Sequence, residues 1–303
     1  MRISTNTIYQ SGISKISNLQ SEQVKLMQQI STLQKIASPS DDPVASARAL
    51  EISHAKSINS KFADTRQTAQ LKLNTLESNL TGVTNMMISV KSALVPAGNP
   101  TYSDLERGFI ASELKTTLEG LIGLANTRDA AGNYLYAGFK TDTPPFTANP
   151  SGATYVGDSN KQLLQVDTQR QMAVNVTGDE VFQAGGNDIF AELQTLVTLL
   201  NTPLTPANQT AFSTGIANGL TSMQKGLDNI LTVRASIGSR LNEIDQLDIS
   251  GEDLDLQYSK SLSDIQDLDY AAALSDLSKN QTIMEAAQKS FVATTSLSLF
   301  DFI

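Results

Sequence analysis

Apolar residues recur at alternating steps of three and four along most of the chain, which is the spacing of one face of an α-helix. One such seam starts at Ile16 and continues to Ala37, with Gln23 as its one polar position. A second seam runs through Leu73, Leu76, Leu80, Val83, Met87, Val90 and Leu94, and a third through Ile216, Leu220, Met223, Leu227, Ile230, Ile237, Leu241 and Ile244. Seams of this length predict long helices that bury one face against other helices.

Proline, glycine and aspartate divide these seams into separate helices. Pro39 is expected to end the first helix, and Asp41 or Asp42 to cap a second whose first turn holds Pro43. The second helix should run from Val44 to about Val95, where "PAGNP" follows. A third is predicted from about Asp104 to Arg128, and a last one from about Leu254, after "DISGED", through Phe291.

The middle of the chain has a different pattern. Between Tyr134 and Phe182 it is rich in Gly, Pro, Asn and Asp, and the alternating runs "QLLQVDT" and "QMAVNVT" predict a β-hairpin that turns near Gln169 and Arg170. A short helix is expected over 189–200. The predicted fold is mainly α, a long antiparallel helical bundle or coiled coil built from both termini, with a small β-rich inserted domain. The predicted domains are terminal coiled-coil segments at 1–40 and 260–303, a helical bundle at 41–135 and 205–259, and the outer insert at 136–204.

Composition argues against several classes of function. The net charge is -9 and no basic block occurs, so neither nucleic acid nor an anionic membrane surface is an expected partner. The chain has no cysteine and one histidine, His54, which excludes a His-based triad and a His/Cys metal cluster. Neither a dinucleotide-binding nor a phosphate-binding glycine motif is present, and the acidic stretch 243–269 does not match a calcium loop. We therefore expect no enzyme activity, no cofactor and no metal.

Association remains as the function to explain. A heptad pattern looks the same whether the helix packs against other helices of its own chain or against another chain. Packing within the chain is the commoner case in a helical domain. The tail "SLSLFDFI" is a cluster of apolar residues, and burying them would yield on the order of 10 kcal/mol, about what ordering eight residues costs. The termini are therefore expected to be mobile in the free protein and to become helical when neighbouring copies or a partner cover them. The predicted assembly interface consists of Ile16, Leu19, Leu26, Ile30, Leu33, Leu277, Met284, Phe291, Leu299 and Phe300.

Several segments, taken in order, resemble the flagellin superfamily of bacterial axial proteins. They are "MRISTN", "PSDDPVASARAL" at 39–50, "GNYLYAGFKTDTPPF" at 132–146, "YVGD" at 155–158, "RASIGSRLNEI" at 234–244, "DLDYAAALSDLS" at 267–278 and the tail. The aromatic segment at 132–146 and the Phe-containing tail are similar to the members that stand between hook and filament.

The resemblance implies a structural adaptor at the hook–filament junction of an extracellular flagellum. It implies a homo-oligomeric ring of copies, with the first hook-associated protein below it and flagellin above it. It also implies type III export and an export chaperone that binds from about residue 275 onward. "MRISTNTIYQ" has no apolar stretch of the kind a cleaved signal contains, in agreement with such export. Two alternatives remain open, a filament subunit of the flagellin type and a cytoplasmic coiled-coil scaffold or signalling protein.

Overall fold

The computed structural model describes residues 5–99 and 101–296, most of which are helical. The α-helices are α1 (Thr5–Thr32), α2 (Pro43–Ala97), α3 (Asp104–Ala125), α4 (Gly178–Phe182), α5 (Ile189–Asn201), α6 (Gln209–Gln266) and α7 (Tyr270–Ser296). The strands are β1 (Phe146–Asn149), β2 (Gly152–Tyr155), β3 (Leu163–Asp167) and β4 (Arg170–Ala173). They pair as two separate antiparallel hairpins, β1 with β2 and β3 with β4. A mainly α fold with a small β insertion is therefore confirmed.

Local capping explains where the long helices begin. The α2 helix begins at Pro43, one residue before the predicted Val44, and the Asp42 carboxylate accepts a hydrogen bond of 2.9 Å from Ala45 N–H. At the start of α3, Ser103 and Glu106 satisfy each other's backbone N–H groups in a capping box that the sequence analysis did not anticipate. Asp188 caps α5 by accepting from Phe190 N–H at 2.9 Å.

The described chain divides into two compact units. One consists of the described residues up to Asn59 together with those from Glu252 onward, and the other of Ser60–Gly251. In the second unit, α2, α3, α5, α6 and both hairpins contribute side chains to one continuous apolar core. The predicted boundaries of the insert at 136 and 204 stay a prediction.

Antiparallel helix contacts organise the core of the larger unit. A Cβ on Gly219 of α6 would lie 2.4 Å from Leu196 Cδ2 of α5, so this glycine lets the two helices approach closely. Arg234, which interrupts the third seam, donates to Glu77 Oε1 of α2 at 2.6 Å from Nη2 and at 2.9 Å from Nε. The interruption of the seam is thus an ion pair between α2 and α6.

The hairpins pack onto these helices. The β3–β4 hairpin was predicted and is confirmed, with its turn between Asp167 and Arg170. Arg170 makes a bidentate ion pair with Glu243 of α6, with Nε 2.5 Å from Oε1 and Nη2 2.8 Å from Oε2. This pair lowers the pKa of Glu243 below its ordinary value. Arg66 of α2 is buried and donates both to Asp248 of α6 and to the Val166 carbonyl of β3. The β1–β2 hairpin was not predicted.

Two predicted helix boundaries are wrong. The first helix ends at Thr32 and not near Pro39, because Leu33 takes a left-handed φ of 56° and its carbonyl accepts from Leu268 N–H at 3.1 Å. The "DISGED" segment does not separate two helices, since α6 continues through it to Gln266. A single interior glycine costs a helix only about 1 kcal/mol, which packing elsewhere along α6 can offset. The break lies at 267–269, and Asp269 caps α7 by accepting from Ala272 N–H at 3.0 Å.

Candidate assembly surface of the terminal helices

The helices α1 and α7 pack side by side in antiparallel orientation. Near the start of α1, the Tyr9 ring lies 5.0 Å from the Phe291 ring, centroid to centroid. Gly12 makes room for that ring, because a Cβ there would lie 2.5 Å from Phe291 Cδ2. Further along, Asn280 Nδ2 lies 3.4 Å from Glu22 Oε2. The start of α1 therefore faces the end of α7.

Most of the predicted interface residues lie along this contact. They are half-buried, unlike the fully buried core of the other unit; the set is Ile16, Leu19, Leu26, Ile30, Leu277, Met284 and Phe291. Leu33 lies beyond the end of α1 and is 58% exposed. Leu299 and Phe300 lie outside the described residues. That these side chains mediate assembly remains a prediction.

The pair leaves much apolar surface uncovered. Among the described residues of α1 no apolar side chain is fully buried, and on α7 Ala273 alone is. Large side chains outside the predicted assembly interface are exposed: Tyr9, Ile13, Val24 and Met27 on α1, and Tyr270, Leu274, Ile283 and Val292 on α7. The predicted interface did not include this second set, although Ile13, Val24 and Met27 recur at intervals that place them on one face of a helix. Exposed apolar surface of this extent is typical of a protein–protein interface.

A groove of about 450 Å³ runs between the two helices. It is lined by Leu19, Glu22, Lys25, Leu26 and Gln29 of α1 and by Asp276, Lys279, Asn280 and Ile283 of α7. Two of these side chains are cationic and two are anionic, so the groove carries no net charge. Lys25 Nζ also lies 3.0 Å from Asp41 Oδ1, and this hydrogen bond lowers the pKa of Asp41 below its ordinary value.

Asn280 is the one buried polar side chain in the described part of these two helices. It is 8% exposed, and its Oδ1 atom has no hydrogen-bond partner among the described residues. A buried acceptor without a donor is costly, because it has lost its hydrogen bonds to water without replacement. The sequence analysis did not single out this residue.

The turn after α1 is fixed by the link between α6 and α7. Lys35 N–H donates to the Gln266 carbonyl at 2.7 Å, and Gln34 and Asp267 form an antiparallel bridge. Asp41, within the "PSDDPVASARAL" segment, accepts from Ser38 N–H at 3.0 Å. These bonds set the point at which the chain leaves α1 and enters α2.

The segment "GNYLYAGFKTDTPPF" combines a buried anchor with an exposed tip. Tyr136 is fully buried, its hydroxyl donates to Asn79 Oδ1 at 2.6 Å, and burial raises the pKa of that hydroxyl. Phe139 is 60% exposed, and its N–H donates to both Asp158 carboxylate oxygens at 3.0 and 3.1 Å. Lys140 Nζ donates to the Val156 carbonyl at 3.1 Å. The exposed phenylalanine is thus carried on a firmly held turn.

Metal-binding groups and membrane-spanning helices were also sought among the described residues. Across 5–99 and 101–296, no three or more His, Asp or Glu side chains are arranged to hold a metal ion. None of the helices in the same ranges combines the length and the apolar character that crossing a membrane requires. His54, the single histidine, is exposed on α2.

Comparison with known proteins identifies the family. Residues 3–141 match the bacterial flagellin N-terminal helical region. Flagellar hook-associated protein 3 of Escherichia coli K12 is 34% identical to the chain, over 99% of this chain and 99% of its own length. Flagellin of Bacillus subtilis 168 is 23% identical, over 95% of this chain and 94% of its own length.

A solved structure has the same fold. The flagellar junction protein FlgL from Legionella pneumophila superposes with a TM-score of 0.64 at 21% identity, covering 73% of this chain and 100% of its own. The likeness in fold agrees with the full-length similarity in sequence. The chain belongs to the hook-associated protein 3 family of flagellar proteins.

Proposed function

We propose that this protein is a structural subunit of the bacterial flagellum that stands at the junction of hook and filament and provides the surface on which flagellin assembles. The observation that carries the proposal is the α1–α7 pair, whose apolar side chains are half-buried or exposed in a single copy. Burying such a surface against another chain is favourable, and exposed apolar surface of this extent marks sites of protein–protein interaction. The full-length similarity to hook-associated protein 3 supports the place in the flagellum.

The proposed position at the junction of hook and filament also defines the proposed partners. Copies of the chain form a ring, the first hook-associated protein lies below the ring and flagellin lies above it. Within the ring, the half-buried residues along the α1–α7 contact, such as Leu26, Ile30, Met284 and Phe291, become buried as neighbouring copies dock. Leu299 and Phe300 belong to the same proposed interface. The outward-facing part is the segment from about 136 to 204.

Before assembly, the exposed apolar side chains of α1 and α7 are not yet buried by neighbouring copies. We infer that the chain leaves the cell through the flagellar type III apparatus without a cleaved signal, and that an export chaperone binds from about residue 275 onward. The described part of that segment supports this, because Ile283 is 44% and Val292 is 63% exposed on α7. A chaperone that covers these side chains would prevent the helices from associating too early.

Deletion of the gene tests the proposed function. The mutant cells should carry hooks without filaments, and flagellin should accumulate in the culture medium because it has no surface on which to polymerise. Supplying the wild-type gene from a plasmid is the control and should restore filaments. Filaments of normal length and number on the deletion mutant would overturn the proposal, as would failure to find the protein in sheared flagella.

A further inference from the structure

The two sides of the α1–α7 pair differ from each other. Successive residues of a helix are about 100° apart, so each side chain can be placed around α1 relative to Gly12, which contacts Phe291. Ile13, Val24 and Met27 fall on one side of the line of contact, and Leu19 and Leu26, which line the groove, fall on the other. An exposed apolar surface on one side of the pair therefore lies opposite a groove on the other side.

The side chains of α7 follow the same division. Counted around α7 from Met284, Leu274 lies on one side of the contact, and Asp276 and Ile283 lie on the other. Because the helices are antiparallel and both right-handed, Leu274 of α7 lies on the same side of the pair as Val24 of α1. We call the surface formed by Ile13, Val24, Met27 and Leu274 the apolar strip.

On α1, the strip side carries a long polar side chain that can serve as a donor at the level of Asn280. Gln20 is exposed on the strip side of α1, between Ile13 and Val24 along the helix. Glu22, two residues further on, is the residue that Asn280 contacts, so Gln20 and Asn280 differ in height by only about 3 Å. The two residues lie on opposite sides of the pair, so the Gln20 amide of one copy can face the Asn280 of another.

We propose that the apolar strip of one copy packs into the groove of the next copy, and that the Gln20 amide of the first donates a hydrogen bond to Asn280 Oδ1 of the second. This inference rests on the proposed function and names the faces through which the ring forms. The occupant is a second copy because the strip is apolar, matches the groove in height, and supplies the donor that Asn280 lacks among the described residues. The balanced charges of the groove favour a ridge without net charge over a strongly acidic or basic partner.

The contact joins unlike surfaces and therefore has a direction. Each copy uses its strip toward one neighbour and its groove toward the other, so the contacts propagate and close into a ring or continue as a helix. A two-fold dimer would instead bring two identical surfaces together. The geometry thus favours an assembly of many copies over an isolated pair.

Cysteine crosslinking can test the contact directly, because the chain has no cysteine of its own. Lys279→Cys, at the groove, is combined in turn with Ile13→Cys, Val24→Cys or Met27→Cys, which sample the strip along its length. Each full-length variant is the sole copy in the cell, and its sheared flagella are mildly oxidised. We expect at least one pair to give a ladder of dimers, trimers and larger covalent oligomers, since the paired cysteines lie on opposite sides of one copy.

A matched control places the second cysteine at the same height but off the strip. Ser21 is exposed about a quarter turn further round α1, so Ser21→Cys with Lys279→Cys should give no ladder. Gln20→Leu should reduce the crosslinking of the best pair about fivefold or more, and Asn280→Leu in addition should restore part of the yield, because both polar partners are then replaced. An unchanged yield in Gln20→Leu would overturn the proposed hydrogen bond.

Other outcomes also decide the matter. If the protein is present in flagella and no strip–groove pair crosslinks, the inference is wrong while the proposed function stands. Dimers from Val24→Cys alone would indicate a two-fold contact and overturn the directional one. A crosslink from Lys279→Cys to a different protein would show that another partner occupies the groove. Absence of the protein from flagella would overturn both the inference and the proposed function.

Discussion

The close approach of α5 and α6 at Gly219 makes a quantitative prediction for Gly219→Ala. A Cβ there would lie 2.4 Å from Leu196 Cδ2 and 3.0 Å from Leu196 Cγ, and Leu196 is only 1% exposed, so its side chain has little room to move. Alanine is better than glycine in a helix by about 1 kcal/mol, whereas overpacking a core costs about 1 to 3 kcal/mol. We therefore expect a net loss of about 0 to 2 kcal/mol in the free energy of unfolding.

Gly238 on the same helix provides the matched control. Apart from its chain neighbours and the nearby backbone of its own helix, no atom of the described residues lies within 4 Å of a Cβ built at Gly238, so Gly238→Ala should gain about 0.5 to 1 kcal/mol from helix propensity alone. The two variants should then differ by about 1 to 3 kcal/mol. In a unit of this size 1 kcal/mol shifts Tm by about 2 to 4 °C, so Gly219→Ala should melt about 2 to 12 °C below Gly238→Ala.

Differential scanning calorimetry of the full chain measures both values. A double-mutant cycle locates the cause, because Leu196→Ala removes the atoms that a Cβ at Gly219 would meet. In that background, Gly219→Ala should become neutral or stabilising. The reasoning is refuted if Gly219→Ala raises Tm as much as Gly238→Ala does, or if Leu196→Ala leaves its effect unchanged.

Three further predictions concern titration, assembly and local stability. Burial raises the pKa of the Tyr136 hydroxyl, so its contribution to stability is fully present below the pKa of an unfolded tyrosine, about 10, and is lost as the pH rises above that value. Tyr136→Phe should therefore make the fall of Tm between pH 9 and 11, roughly one unit either side of that pKa, less steep than in the wild type. An equally steep fall in the variant would contradict this. Phe291→Asp should abolish the growth of filaments on hooks, because it places a charge in the α1–α7 contact. Ala286→Asp, which places a charge on the exposed face of α7 that points away from α1, should leave filaments intact; filaments of normal length with Phe291→Asp would contradict the assignment. In limited proteolysis of the monomer, α1 and α7 should be cleaved before α3 and α5, because their side chains are mostly half-buried or exposed; equal resistance of all four helices would count against this.

Much of the fold follows from local patterns that need no knowledge of the rest of the chain. The seam from Leu73 to Leu94 is fully buried in α2, as its spacing predicts, and that helix has Pro43 in its first turn and Asp42 as its cap, as predicted. The β3–β4 hairpin is likewise visible in the alternation of its two runs. These features depend on helix and strand periods and on backbone restrictions, which the sequence displays directly.

Other features depend on partners that are distant in sequence. Leu33 ends the first helix because its backbone pairs with the link between α6 and α7, and no local residue pattern announces that pairing. Arg66 reads as a surface residue but is buried, because Asp248 and the Val166 carbonyl converge on it from two other elements. The local pattern also predicted a helix end at "DISGED", because it combines a glycine with three acidic residues. These residues disfavour a helix only weakly, and α6 continues through them.

The same division applies to the candidate assembly surface. By itself the sequence determined that the terminal helices carry apolar seams and that Ile16, Leu26 and Met284 lie on them, because a helix repeats every 3.6 residues wherever it packs. The tertiary structure decided which apolar side chains α1 and α7 cover for each other and which they leave exposed. It also placed the Asn280 acceptor in a groove opposite the strip that carries Val24, because the orientation and register of two helices are set by their mutual contacts and not by the period of either one.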